Sequence, residues 1–315
     1  MIRIAKRIIL IFLLFFSLGI AGQNGSLYYK EALGYASKNK ILQALKSIET
    51  AIEIDGNMSP PEFYFHKYEY LIKLGEYKRS IYTLNHALTR FPRSVLLLNA
   101  RAEFYLALRI YKQAILDYEK IVVLVGSNEL VDYQVKLASA KFLIRDFLGV
   151  APILKLVLKE DPLNIDGLNL LAALHVELNN YEKAKEVLHT IANKNPNNIS
   201  TIINLGYTYQ KANQHEKAIS YFNKALQLSP QHPVALCNRA HSWLQISNVE
   251  KAITDINQSI SLLQTNSYAY MIRGKINLAL KRKKSACEDF TIAKSLNFKK
   301  QYGIEIDVLL SKYCH

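Results

Sequence analysis

The sequence predicts an all-α solenoid, a row of stacked helical hairpins closed at the C-terminal end by one further helix. Three observations lead there. A pattern of apolar and small residues returns at a fixed interval, as in Leu168, Ile202 and Leu236. Each copy holds two apolar blocks at helical spacing, the mark of two amphipathic helices. The 315 residues include only 12 Gly and 8 Pro, which suits long helices with short connections. A chain that is 50% hydrophobic and 21% charged, with three Cys, is neither disordered, nor collagen-like, nor a small disulfide-stapled scaffold.

The first element is an address. Arg3, Lys6 and Arg7 precede an apolar run from Ile8 to Phe16, and Gly19 and Ala21 supply small residues before a cleavage point. That is the layout of a secretory signal peptide over residues 1–22. The run is shorter than the ~20 apolar residues of a spanning helix, so an inner-membrane anchor is the second reading. No Cys lies in this segment for lipidation. The expected location is therefore periplasmic or secreted.

Units then follow one another from residue 25 to 300, starting near 25, 61, 95, 131, 165, 199, 233 and 267. One unit reads Ile202-x2-Leu205-Gly206-x2-Tyr209, then Ala218-x3-Phe222-x2-Ala225, then Pro230. The preceding copy carries Leu168, Leu171, Ala172, Ala184, Leu188 and Pro196; the following one Leu236, Arg239, Ala240, Ala252 and Ile256. The last has Tyr270, Arg273, Gly274, Ala286 and Phe290. Upstream, Tyr28, Ala32 and Ala44, Tyr64, Tyr68 and Leu84, and Leu98, Ala102 and Ala114 hold the frame. The unit from Val131 is the weakest, and Ser59-Pro60 and Glu129-Leu130 read as two-residue insertions. Small residues on the first helix (Ala172, Gly206, Ala240, Gly274) are expected to face small residues on the second, letting the axes approach. Asn179-Asn180 and Asn213-Gln214 mark tight interhelical turns. Asp161-Pro162, Asn195-Pro196 and Ser229-Pro230 end units, since Pro is tolerated only in the first turn of the next helix. Residues 301–315 should fold back as the capping helix.

This frame resembles the tetratricopeptide repeat family over nearly the whole of the chain after residue 25. The family's usual Trp near the start of each unit is replaced by Leu, Ile or Tyr in most units. The resemblance implies a right-handed superhelix whose first helices line a concave groove that grips an extended peptide or a partner's helix. Carried over by position, the groove includes Phe65, His66, Glu69, Asn99, Glu103, Asn169, Asn204, Tyr207, Asn238, His241, Tyr268 and Lys275. Asn side chains suit reading a ligand's backbone, above all Asn204 and Asn238 on successive units, and Tyr207 and Tyr268 offer flat apolar area with a polar tip. Family members that hold a chaperone's terminal carboxylate use a set of Lys, Arg and Asn. Here those places carry Ile203, Tyr207, Tyr268 and Ile272, with only Asn238 fitting, so that activity is not expected.

Comparison between units adds a pair that changes together. Arg101 and Asp117, Arg239 and Asp255, and Arg273 and Asp289 sit sixteen residues apart, while Leu137 with Ile153 and Leu171 with Val187 are apolar at the same places. An interhelical ion pair is expected wherever Arg and Asp occur. Outside the cytoplasm thiols tend to pair, and Cys287 with Cys314 would lock the cap, leaving Cys237 as a single thiol.

No catalytic, cofactor or metal motif interrupts the repeats. The eight His are scattered with no HExxH, and no CxxC, nucleophile elbow or phosphate-cradling glycine loop is present. The expected function is a non-catalytic protein–protein interaction scaffold without cofactors. The formal charge of +14, or +11 without the three cations of residues 1–22, favours a second reading, docking on an anionic glycan or membrane surface. Export argues against nucleic acid. A membrane-anchored assembly factor is a third reading, and the sequence leaves partner and oligomeric state open.

Overall fold

The computed structural model describes residues 25–298 and 302–314. The signal peptide read over residues 1–22 lies outside the described residues, as do 299–301 and 315 of the expected cap. Among the described residues there are helices and turns but no strand, and no helix is long and apolar enough to cross a membrane.

Two compact units divide the chain between Glu160 and Asp161. The first holds α1 (25–37), α2 (Ile41–Asp55), α3 (Pro61–Lys73), α4 (Tyr77–Arg90), α5 (Val95–Ala107), α6 (Tyr111–Leu124), α7 (Ser127–Leu143) and α8 (Phe147–Glu160). The second holds α9 (Ile165–Glu177), α10 (Tyr181–Lys194), α11 (Ile199–Lys211), α12 (His215–Leu228), α13 (Pro233–Gln245), α14 (Val249–Leu262), α15 (Ser267–Ala279), α16 (Lys283–Ser295) and α17 (Glu305–Tyr313). From α3 to α16 each odd-numbered helix packs on the even-numbered helix that follows, and within the second unit α9 also touches α11, and α13 touches α15.

The local reasons recur with the period. One residue between the helices of every pair has a left-handed backbone: Asn39, Gly75, Arg109, Arg145, Asn179, Asn213, Ser247 and Lys281, with φ from 56° to 76°. Asn tolerates that region and Gly has no Cβ to clash. Between pairs, the side chains of Ser94, Asn164, Asn198, His232 and Asn266 accept a first-turn amide of the next helix. Pro162, Pro196 and Pro230 sit in the turns ahead of these caps rather than in the first helical turn, because the capping residue still has to follow them.

Three further differences from the sequence reading have physical causes. Ser59-Pro60 is accommodated by a 3-10 turn, Gly56–Met58, before α3. The two-residue insertion at Glu129-Leu130 is absorbed into α7, which begins at Ser127 and reaches 17 residues. And two of the small first-helix residues, Gly206 and Gly274, admit a ring. A Cβ on Gly206 would lie 2.6 Å from Phe222, and one on Gly274 would lie 2.3 Å from Phe290. Both rings are fully buried, so the glycines set how closely each pair closes on its own phenylalanine.

Cys287 and Cys314 are joined by a disulfide, with Cα atoms 5.6 Å apart. It ties α16 to α17, whose Ile306 is fully buried against the core around Phe290 and Phe298.

Candidate functional site

Arginines on the first helices anchor the register. Arg101 donates from Nε and Nη2 to both Asp117 oxygens at 2.8 and 2.7 Å, and Arg239 does the same to Asp255 at 2.7 Å. Arg273 reaches Asp289 at 2.6 Å, and Asn277 donates to that carboxylate at 2.9 Å. The aspartates are buried. Each guanidinium also donates from Nη1 to an asparagine of the preceding pair: Asn85, Asn223 and Asn257, at 2.8, 2.8 and 3.3 Å. These asparagines were not anticipated, although they stand sixteen residues before the arginines as the aspartates stand sixteen after. At the start of the array, Ser47 donates to Glu31 and Lys67 pairs with Glu49 at the equivalent places. The network therefore binds the helices of one pair and joins that pair to its neighbour.

Beside it lies the first-helix face of each unit. In the second unit, Asn204 donates to Asn169 Oδ1 at 2.9 Å, so the amides of α9 and α11 are joined. Tyr207 is half-buried, with Lys211 Nζ 6.0 Å from its ring centroid. The hydroxyl of Tyr268 stands 2.8 Å from His241 Nδ1, and Lys275 is paired with Glu305 of α17. Asn238 does not belong with this group. It is 8% exposed, and Gln210 crosses from α11 to donate to its backbone oxygen at 2.7 Å. The row of asparagines is Asn169 with Asn204, not Asn204 with Asn238.

His241 is held neutral. Burial first, then the charges of Lys275, His215 and Lys211, push its pKa down to about 4. An unfolded His titrates near 6.5, so between these values the unfolded chain binds the extra proton and stability falls as the pH drops. The loss should reach about 2 kcal/mol, the full shift being discounted for partial exposure. Urea unfolding at pH 7 and pH 4.5 should show it, and His241→Asn should reduce the pH dependence by that amount.

In the first unit, Phe65 and His66 lie half-buried on α3, with His66 Nδ1 2.8 Å from Glu69 Oε2. Asn99 Oδ1 accepts from Lys136 at 3.1 Å, and Glu103 Oε1 accepts from the same ammonium at 3.0 Å. Tyr118 donates to that Glu103 oxygen at 2.9 Å.

Cys237 is fully buried on α13, and burial pushes its thiol up to about 12, far from a thiolate nucleophile. Among the described residues no group of three or more His, Cys, Asp or Glu is placed to hold a metal ion.

Comparison with known proteins bears on the fold. Sequence profiles of the tetratricopeptide repeat match residues 145–204 and 200–232. A tetratricopeptide repeat protein from Parabacteroides merdae superposes with a TM-score of 0.53 at 18% identity, covering 93% of this chain and 100% of that one. A thermophilic protein of the same kind from Thermus thermophilus superposes with a TM-score of 0.50 at 17% identity, covering 58% of this chain and 97% of that one. At such identities the likeness is one of fold. No curated protein matches the sequence.

Proposed function

We propose that this chain, a tetratricopeptide repeat protein, is an exported, non-catalytic scaffold that holds a partner protein by an extended segment laid across its first helices. One observation supports this most: in the second unit, half-buried polar and aromatic groups on successive first helices meet in pairs, Asn204 with Asn169 and Tyr268 with His241, with Tyr207 half-buried beside Asn204 on α11. Amides and phenols at that depth can satisfy a peptide backbone while giving apolar contact. Export is supported by the basic–apolar–small layout of residues 1–22 and by the disulfide, which suits an oxidising compartment.

The formal charge of +14 supports a second reading, charge-led docking on an anionic glycan or membrane. Salt separates the two. Raising it to about 0.3 M shortens the Debye length to about 6 Å and screens exposed charges. A partner captured from native envelope extracts on the immobilised protein should stay bound through that wash and be identified as a protein by mass spectrometry. Loss of all bound material, with glycan or lipid in the wash, would favour the second reading.

A further inference from the structure

The Cys287–Cys314 bond lies at the surface, not in the core. Both cysteines are half-buried, whereas Cys237 is 1% exposed among apolar neighbours. Cys287 and Cys314 line a surface groove of about 940 Å³ together with Ile292, Leu310, Lys284 and Lys294. A thiol in solution can therefore reach the sulfurs while the array stays folded.

α17 depends on that bond more than on packing. Nine residues are too few for a helix that is stable alone. Ile306 is its one buried side chain. Its ion pairs, Glu305 with Lys275 and Asp307 with Lys294, are partly exposed, where such pairs contribute little. The core that receives Ile306 contains Phe290 and Phe298, both fully buried.

The residue beside the bond also departs from the repeat. In the three preceding pairs of the second unit, the first turn of the second helix carries Glu182, Glu216 and Glu250, the charge that a helix start favours. In α16 the same place holds Lys284, three residues before Cys287. A cation there stabilises a sulfur that leaves as thiolate, and such a sulfur leaves faster.

We propose that the Cys287–Cys314 bond is a site of thiol–disulfide exchange, opened in the folded protein by a dithiol reductant, and that opening it releases α17 from the end of the array. A thiolate of the reductant attacks Cys314 Sγ. A new S–S bond forms to Cys314, and Cys287 leaves with the electron pair as a thiolate near Lys284. The second thiol of the reductant then displaces Cys314 and closes the reductant's own disulfide. Two electrons pass to the protein, and the two thiol protons end on the cysteines. Cys237 is too buried to intervene, so reoxidation restores the same bond.

The test is dithiothreitol added to the purified full chain without denaturant, followed by iodoacetamide labelling with mass spectrometry and by hydrogen exchange. Cys287 and Cys314 should be labelled together while Cys237 stays unlabelled, the sign that the array is still folded. Exchange should rise in Glu305–Tyr313, and fall again after reoxidation. Glutathione, a monothiol, should leave its mixed disulfide on Cys314 with Cys287 open to alkylation. Lys284→Glu, which restores the charge of the neighbouring pairs, should be reduced several-fold more slowly with no fall in its urea midpoint. Labelling of Cys287 and Cys314 only at urea concentrations that also expose Cys237 would overturn the proposal, as would full labelling with the protection of α17 unchanged. An unchanged rate in Lys284→Glu, or a mixed disulfide on Cys287, would overturn the choice of leaving sulfur.

Discussion

Arg239→Leu alone should destabilise the protein by about 3 kcal/mol, while Arg239→Leu combined with Asp255→Val should recover most of that loss. The single change leaves the carboxylate of Asp255, whose side chain is 8% exposed, without its bidentate partner. Asn223 loses the guanidinium as well, so the contact to the preceding pair goes too. The double change installs what the array already uses elsewhere, since Leu171 and Val187 stand at the equivalent places. A buried ion pair gives up much of its attraction to desolvation, so a well-packed apolar pair costs little by comparison. Urea unfolding of wild type, both single variants and the double variant completes the cycle. Additive losses would mean that the two groups do not act together.

Cys287→Ser should weaken the attachment of the cap by about 3.5 kcal/mol, the chain-entropy value for a closed loop of this length, the two cysteines being 27 residues apart. The effect should be local. α17 is held on α16, with further ties from Lys275 to Glu305 and from Lys294 to Asp307. In a repeat array such an end element can open without the rest. Hydrogen exchange should therefore speed up in Glu305–Tyr313 and next in α16, while α11 to α14 keep their protection. Equal protection of α17 in the variant would mean that burial of Ile306 and the ion pairs suffice.

The fold was legible because every layer of the sequence repeats with it. Turn residues, capping residues and the small residues of the first helices recur with the repeat, so a weak copy such as the one from Val131 is phased by its neighbours. Less of the site was legible. The sixteen-residue spacing of Arg101 and Asp117 is visible within one unit, but Asn85 comes from the unit before, and only alignment of the preceding second helix would bring it out. Asn238 is too buried for the groove, which register could not show because it gives a helix face, not depth.

Partners are expected to be held by the first helices. A photoreactive amino acid placed at Tyr207 or Tyr68 reads those helices; one placed at Leu148 or Tyr82, 92% and 70% exposed on second helices, reads the others. Irradiation in cells of the native host should give partner adducts from the first two positions and none from the others. Adducts from Leu148 or Tyr82, with none from Tyr207 and Tyr68, would mean that partners are held by the second helices instead.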